Sequence, residues 1–217
     1  MTYPHVADHV LGNQDAAVTL LEYGDYECPY CAAAAPVLRH VVEDSDDQVR
    51  LVFRNFPIAD RHPYALTAAL AAEAAGAQGA FWEMHELLFA RQDRLDDAAL
   101  RAYAEELGLD GSRVVGEPAQ VFGDKVEADF AAGLAVGVGG TPTVFIDGRL
   151  WSGRVEANAL RRAIGSARSE PDGSHVDGRL DPGPRRQRRW SLGLRRAQRE
   201  PLAENAEQDH PGDRGGD

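Results

Sequence analysis

Residues 18–31 read VTLLEYGDYECPYC, and the change of pattern inside this stretch decides the fold. Residues 18–23 (VTLLEY) are a continuous apolar run of strand formers, the pattern of a strand covered on both faces. Gly24 and Asp25 punctuate its end. From Pro29 to about Glu43 the pattern turns helical, with Val37, Leu38, Val41 and Val42 on one side. Pro29 suits a first helical turn, where a missing N–H costs nothing, and Pro36 predicts a kink. Residues 49–56 (VRLVFRNF) form a second strand, ended by Pro57. Strand, helix and strand in this order make a βαβ unit, right-handed in nearly every known case, so the fold class is α/β.

Further along, residues 62–136 are rich in alanine and read as helices over 62–77, 80–91, 96–107 and 118–135, the last weakened by Gly123 and Gly133. The period then changes. Residues 143–147 (TVFID) and 149–152 are short strands joined across Asp147-Gly148, a hairpin signal, and 155–167 is a closing helix. An inserted helical domain, 62–136, therefore separates the two halves of a small sheet, 9–61 and 137–167. Beyond it, 168–217 turns to Arg, Pro, Gly, Asp and Glu and reads as a mostly disordered tail.

Charge is divided along the chain. The net charge is −12, yet 168–217 holds ten arginines and ten acidic residues, which leaves the whole excess on residues 1–167. An acidic globular part argues against a nucleic-acid-binding face. The stretch RRQRRWSLGLRR (185–196) has the composition of a basic patch, but acids follow it and it reads as solvated tail. Lys125 is the only lysine and suggests no mechanism. No run approaches the roughly 20 apolar residues of a membrane span. The opening MTYPHVADHVLG lacks a basic start, an apolar run and a cleavage site, so the expectation is a cytoplasmic protein, which a start further upstream would change.

The two cysteines, Cys28 and Cys31, lie three residues apart and cannot staple distant parts of the fold. Redox chemistry or half of a metal site remains. Zinc needs two further ligands; no third cysteine exists, and His5 and His9 stand without a firm helix to present them. A dithiol is favoured, with no metal and no organic cofactor. Cys28 follows a strand and opens a helix, where unpaired N–H groups and the helix dipole favour the thiolate. Cys31, one turn on, can attack a mixed disulfide at Cys28 and release the product.

The stretch LLEYGDYECPYC (20–31) resembles the active-site strand and helix start of the DsbA-like branch of the thioredoxin superfamily. GGTPTVFID (139–147) resembles that family's cis-proline loop and the strand after it. Asn55-Phe56-Pro57 and AAEAAGAQGAFWEMHELLF (71–89) resemble its bacterial soluble subgroup, which includes stand-alone oxidoreductases and thioredoxin domains appended to sodium–proton antiporters. The resemblance covers about 9–167 in order and implies a thioredoxin fold. It makes Pro142 a cis-proline facing the cysteines, with the Thr141 backbone beside a substrate chain, and Pro29 and Tyr30 the interior of the redox pair. Pro-Tyr between the cysteines is typical of glutaredoxins, which implies a potential between roughly −120 and −270 mV.

Glu22, six residues before Cys28, stands where relatives carry a buried acid, and its apolar neighbours favour burial over a water-facing strand end. There it would take the proton of Cys31. Asp25 and Glu27, on the connecting turn, would raise the Cys28 pKa against the helix effect, and which wins is open. His62, His85, Trp82 and Phe81 read as packing of the helical block or its surface; Tyr23, Tyr26 and Phe56 border a peptide groove or fill the core. The function expected is a thiol–disulfide oxidoreductase acting on protein thiols and disulfides, with an unidentified redox partner. The alternative is a non-catalytic redox-sensing or adaptor domain associated with a membrane transporter.

Overall fold

The computed structural model describes residues 9–169; His5, the basic stretch 185–196 and nearly all of the expected tail lie outside the described residues. The elements run β1 (His9–Leu11), β2 (Val18–Gly24), α1 (Pro29–Glu43), β3 (Val49–Asn55), α2 (Ala65–Gly76), α3 (Phe81–Ala90), α4 (Asp97–Glu106), α5 (Glu117–Gln120), α6 (Gly123–Ala135), β4 (Thr143–Ile146), β5 (Arg149–Leu150) and α7 (Ala157–Ser169). A 3-10 turn, Gly111–Arg113, precedes α5.

The strands form one mixed sheet in the order β1-β3-β2-β4-β5. β2 and β3 pair in parallel with Leu20 opposite Leu51, whereas β4 pairs antiparallel to β2 with Glu22 opposite Val144. The central place of β2 explains its apolar run, since helices cover both faces. On one face Val18 and Leu20 pack with Leu38 and Val41 of α1 and Leu160 and Ile164 of α7. On the other, Tyr23 and Phe145 pack with Phe56, Val138 and Phe130 of α6. Side chains alternate along a strand, so Glu22 shares the α1 face with Leu20. The helices between β3 and β4 bury their own apolar face together with Tyr26, Cys28, Cys31 and Phe53.

Several elements differ from expectation. His9–Leu11 is an edge strand antiparallel to β3, too short to show a period. The helix expected over 118–135 is two, broken at Val121 and Phe122. Gly133 in α6 is required by contact, because a Cβ there would lie 2.7 Å from Phe56 and 3.0 Å from Tyr23. The helix α1, by contrast, has the expected bounds, Pro29–Glu43, with Pro36 inside it.

The isolated Lys125 is buried. Its Nζ donates to Asp129 Oδ2 at 2.6 Å and lies 3.7 Å from Glu73 Oε1. Glu73 also accepts from Asn55 Nδ2 at 2.7 Å and meets His9 Nε2 at 2.8 Å, and Asp129 accepts the Asn55 backbone N–H at 3.1 Å. This polar cluster joins β1, β3, α2 and α6. His9, weighed as a metal ligand, is instead bonded to Glu73 and stacked on Phe81 with ring centroids 3.4 Å apart.

Candidate active site

Cys28 is the N-cap of α1, in extended conformation (φ −77°, ψ 120°), and Pro29 is the first helical residue. The chain therefore turns into the helix at Cys28, which sets its sulfur at the positive end of the helix dipole. Cys28 is 4% exposed and Cys31 fully buried, whereas Tyr30 between them is 75% exposed. Pro29 is exposed as well, so the pair has an open rim and a closed floor.

The loop before β4 closes over the pair. The Thr141–Pro142 peptide bond is cis, and the Cys28 thiol donates to the Thr141 carbonyl at 3.3 Å. The two sulfurs differ sharply in acidity. A hydrogen bond from the Cys31 thiol does most to lower Cys28; the Thr141 hydroxyl and the N–H groups of Cys31 and Tyr30 add to it, burial opposes, and Cys28 comes down to about 5. Cys31 is held far above the ordinary thiol range, first by burial, then by its bond to Cys28 and by the Glu22 charge. The two thiols are thus set apart by environment alone.

Glu22 is fully buried, and neither carboxylate oxygen has a hydrogen-bond partner among the described residues. Burial, then the Cys28 charge, pushes it up to about 8. A carboxyl titrating near neutrality on the α1 face of β2 can exchange a proton with a buried thiol.

Asp25 and Glu27 do not act as loose charges beside Cys28. The Asp25 carboxylate is buried, accepts the N–H groups of Glu27 and Ile58 at 2.8 Å each, and meets His62 Nδ1 at 2.8 Å. Its backbone N–H points at Cys31 Sγ, 3.5 Å away. Glu27 accepts the Tyr64 N–H at 2.6 Å. Both acids tie the turn to the segment entering α2, and Cys28 is lowered despite them. His62, read as packing, is therefore a partner of this turn.

His85 does pack: it is buried among Phe53, Trp82 and Phe89, bonds Tyr26 Oη through Nδ1 at 3.1 Å, and is held neutral by burial, down to about 3. Tyr23, Tyr26 and Phe56 are core residues, each less than 5% exposed. Gln92, after α3, escaped the sequence reading altogether; its amide donates to the carbonyls of Tyr26 and Cys28 at 2.8 and 2.9 Å. No local pattern announces a glutamine whose partners lie more than 60 residues away.

Comparison with known proteins agrees with this geometry. The sequence profile of a family described as Thioredoxin matches residues 5–166. The sodium–proton antiporter NhaA 3 of Salinispora tropica is 47% identical over 171 residues, covering 76% of this chain and 26% of that protein. The chain thus spans about a quarter of the length of the curated relatives it matches. The crystal structure of a thioredoxin-like oxidoreductase from Silicibacter pomeroyi is 31% identical, with a TM-score of 0.66 over 76% of this chain and 94% of that one. The thiol-disulfide exchange protein α-DsbA2 of Wolbachia pipientis, 21% identical, shares the fold with a TM-score of 0.65 over 75% of this chain and 88% of that one. This chain belongs to the thioredoxin family and carries the fold of its DsbA-like thiol–disulfide oxidoreductases.

Proposed function

We propose that the chain exchanges electrons with protein thiols and disulfides through the Cys28–Cys31 dithiol. The observation that carries this reading is the contrast between the sulfurs: Cys28, lowered to about 5, stands at a helix cap beneath an exposed rim, and Cys31 is buried behind it. The Cys28 thiolate attacks one sulfur of a substrate disulfide. That S–S bond breaks, the distal sulfur leaves as a thiolate, and a Cys28–substrate disulfide forms. Cys31 then gives its proton to Glu22 and attacks Cys28 Sγ, releasing the second substrate thiolate and leaving the Cys28–Cys31 disulfide. The reverse sequence oxidises a substrate dithiol.

Pro142 and the Thr141 backbone position the substrate chain, and Pro29 and Tyr30 form the rim it crosses. On this reading 9–61 and 137–167 are the exchange unit and 62–136 the helices that brace it. A nucleophile titrating at about 5 lies between the about 7 of thioredoxin and the about 3.5 of the most oxidising relatives, which supports the intermediate potential expected from Tyr30. In a reducing compartment the pair rests as dithiol and reduces its partners; in an oxidising one it makes disulfides.

A second reading has its own observation. The antiporter relatives are about four times the length that this chain matches, which suits a redox-sensing or adaptor domain of a transporter. Insulin reduction with dithiothreitol separates the two. Turnover that disappears in Cys28→Ser supports the enzyme, and background turnover alongside reversible formation of the disulfide supports the sensor.

A further inference from the structure

One side chain holds two backbone carbonyls at the turn into α1, those of Tyr26 and Cys28. The half-buried Gln92 amide donates to the Tyr26 carbonyl at 2.8 Å and to the Cys28 carbonyl at 2.9 Å. An amide group has two hydrogens, and here each has an acceptor. The Cys28 carbonyl also accepts the N–H groups of Cys31 at 3.1 Å and Ala32 at 3.2 Å, so Gln92 adds a third donor where α1 begins. Holding that oxygen fixes the plane of the peptide that follows the nucleophile. It also orders the first turn of the helix, whose dipole favours the thiolate.

The turn that carries Gln92 is itself braced. Arg91 forms two hydrogen bonds with the Glu106 carboxylate, at 2.7 and 2.8 Å, and lies 4.9 Å over the Tyr103 ring. Tyr103 donates its hydroxyl to the Arg94 carbonyl at 2.9 Å, and Leu95 is buried. Gln92 is thus placed by α4, which is remote from the cysteines in sequence.

We infer that Gln92 is a positioning residue for the nucleophile: its amide clamps the carbonyls of Tyr26 and Cys28, fixes Cys28 at the helix cap, and makes the dithiol depend on the inserted helices. The inference rests on the dithiol reading above. It adds a residue that acts through the backbone and not by touching substrate.

Gln92→Met keeps the length of the side chain and removes both donors, and Gln92→Lys restores donors of similar reach. Thiolate absorbance of the reduced protein near 240 nm, titrated with pH, and the rate of Cys28 alkylation by iodoacetamide both report the nucleophile directly. The methionine variant is expected to titrate about one unit higher and to alkylate about fivefold more slowly at pH 5; lysine is expected to restore the wild-type midpoint or go below it. A folded methionine variant that titrates and alkylates like wild type overturns the inference. Should methionine prevent folding, Gln92→Leu, also uncharged and without donors, decides: a midpoint above wild type supports the clamp, and a wild-type midpoint overturns it. Insulin reduction by wild type is read separately. Failure there strikes the dithiol reading, while the Cys28 titration still judges Gln92.

Discussion

The Cys28 thiol reaches the Thr141 carbonyl across 3.3 Å, bridging 113 positions of sequence. This contact brings the start of α1 against the loop that leads into β4, and it puts the Thr141 side chain beside Cys28. Among the described residues the buried Thr141 hydroxyl oxygen has no hydrogen-bond partner while Cys28 is a thiol, and it can donate to the thiolate once the proton is lost.

Thr141→Val removes that donor while keeping the shape of the side chain. The expected outcome is a Cys28 titration that moves up from about 5 by about one to two units, since one hydrogen bond to a charged group is worth about 1.5–3 kcal/mol. The sign for stability follows. A thiol lowered by folding stabilises the reduced form fully above its unfolded value of roughly 8.5, and that contribution is lost as pH falls through about 5. Denaturation of reduced wild type and Thr141→Val between pH 4 and 9 should show a smaller rise in the variant. Superimposable curves would speak against the hydroxyl's part.

Glu22 has the opposite sign. Its carboxyl is raised by folding to about 8, so its contribution is complete below the unfolded value of roughly 4.3 and is lost as pH climbs through 8. Measured on the disulfide form, where neither sulfur titrates, Glu22→Gln should match wild type near pH 4. At pH 9 it should be more stable by about 1–3 kcal/mol. The same variant should slow release of the mixed disulfide by about a hundredfold at neutral pH if Glu22 accepts the Cys31 proton. Unchanged release kinetics would leave Glu22 a buried acid without a role in exchange.

The buried Lys125 offers a test of architecture. Lys125→Met leaves the Glu73 and Asp129 carboxylates buried without their cation, and the expected loss is about 3–5 kcal/mol in urea denaturation. Adding Asp129→Asn should recover part of it, because the amide oxygen can still accept the Asn55 N–H while one uncompensated charge is gone. A loss under about 1 kcal/mol would show that the ion pairs are replaceable.

What could be read from sequence was what repeats locally. The apolar run of β2, the proline and cysteines that open α1, and the Asp147-Gly148 turn each carry their signal within a few residues, and these place the dithiol at the end of a central strand. The supports of the site are long-range and carry no such signal. Asp25 meets His62 across 37 positions, Asn55 meets Asp129 across 74, and Gln92 reaches back to Tyr26 and Cys28. Lys125 was passed over because a lone lysine in an arginine-rich chain looks like composition; its role is visible only once α2 and α6 are side by side. The break between α5 and α6 was hidden because alanine and glycine leave no period to interrupt.

The central claim is a division of labour, with Cys28 attacking and Cys31 releasing. Incubating Cys31→Ser with a disulfide-bonded protein substrate tests it most directly, with the trapped species resolved by non-reducing electrophoresis and its linked cysteine identified by mass spectrometry. The account predicts a stable mixed disulfide at Cys28 that wild type releases and Cys28→Ser never forms. A Cys31→Ser variant that traps nothing, or a Cys28→Ser variant that traps substrate through Cys31, would contradict it.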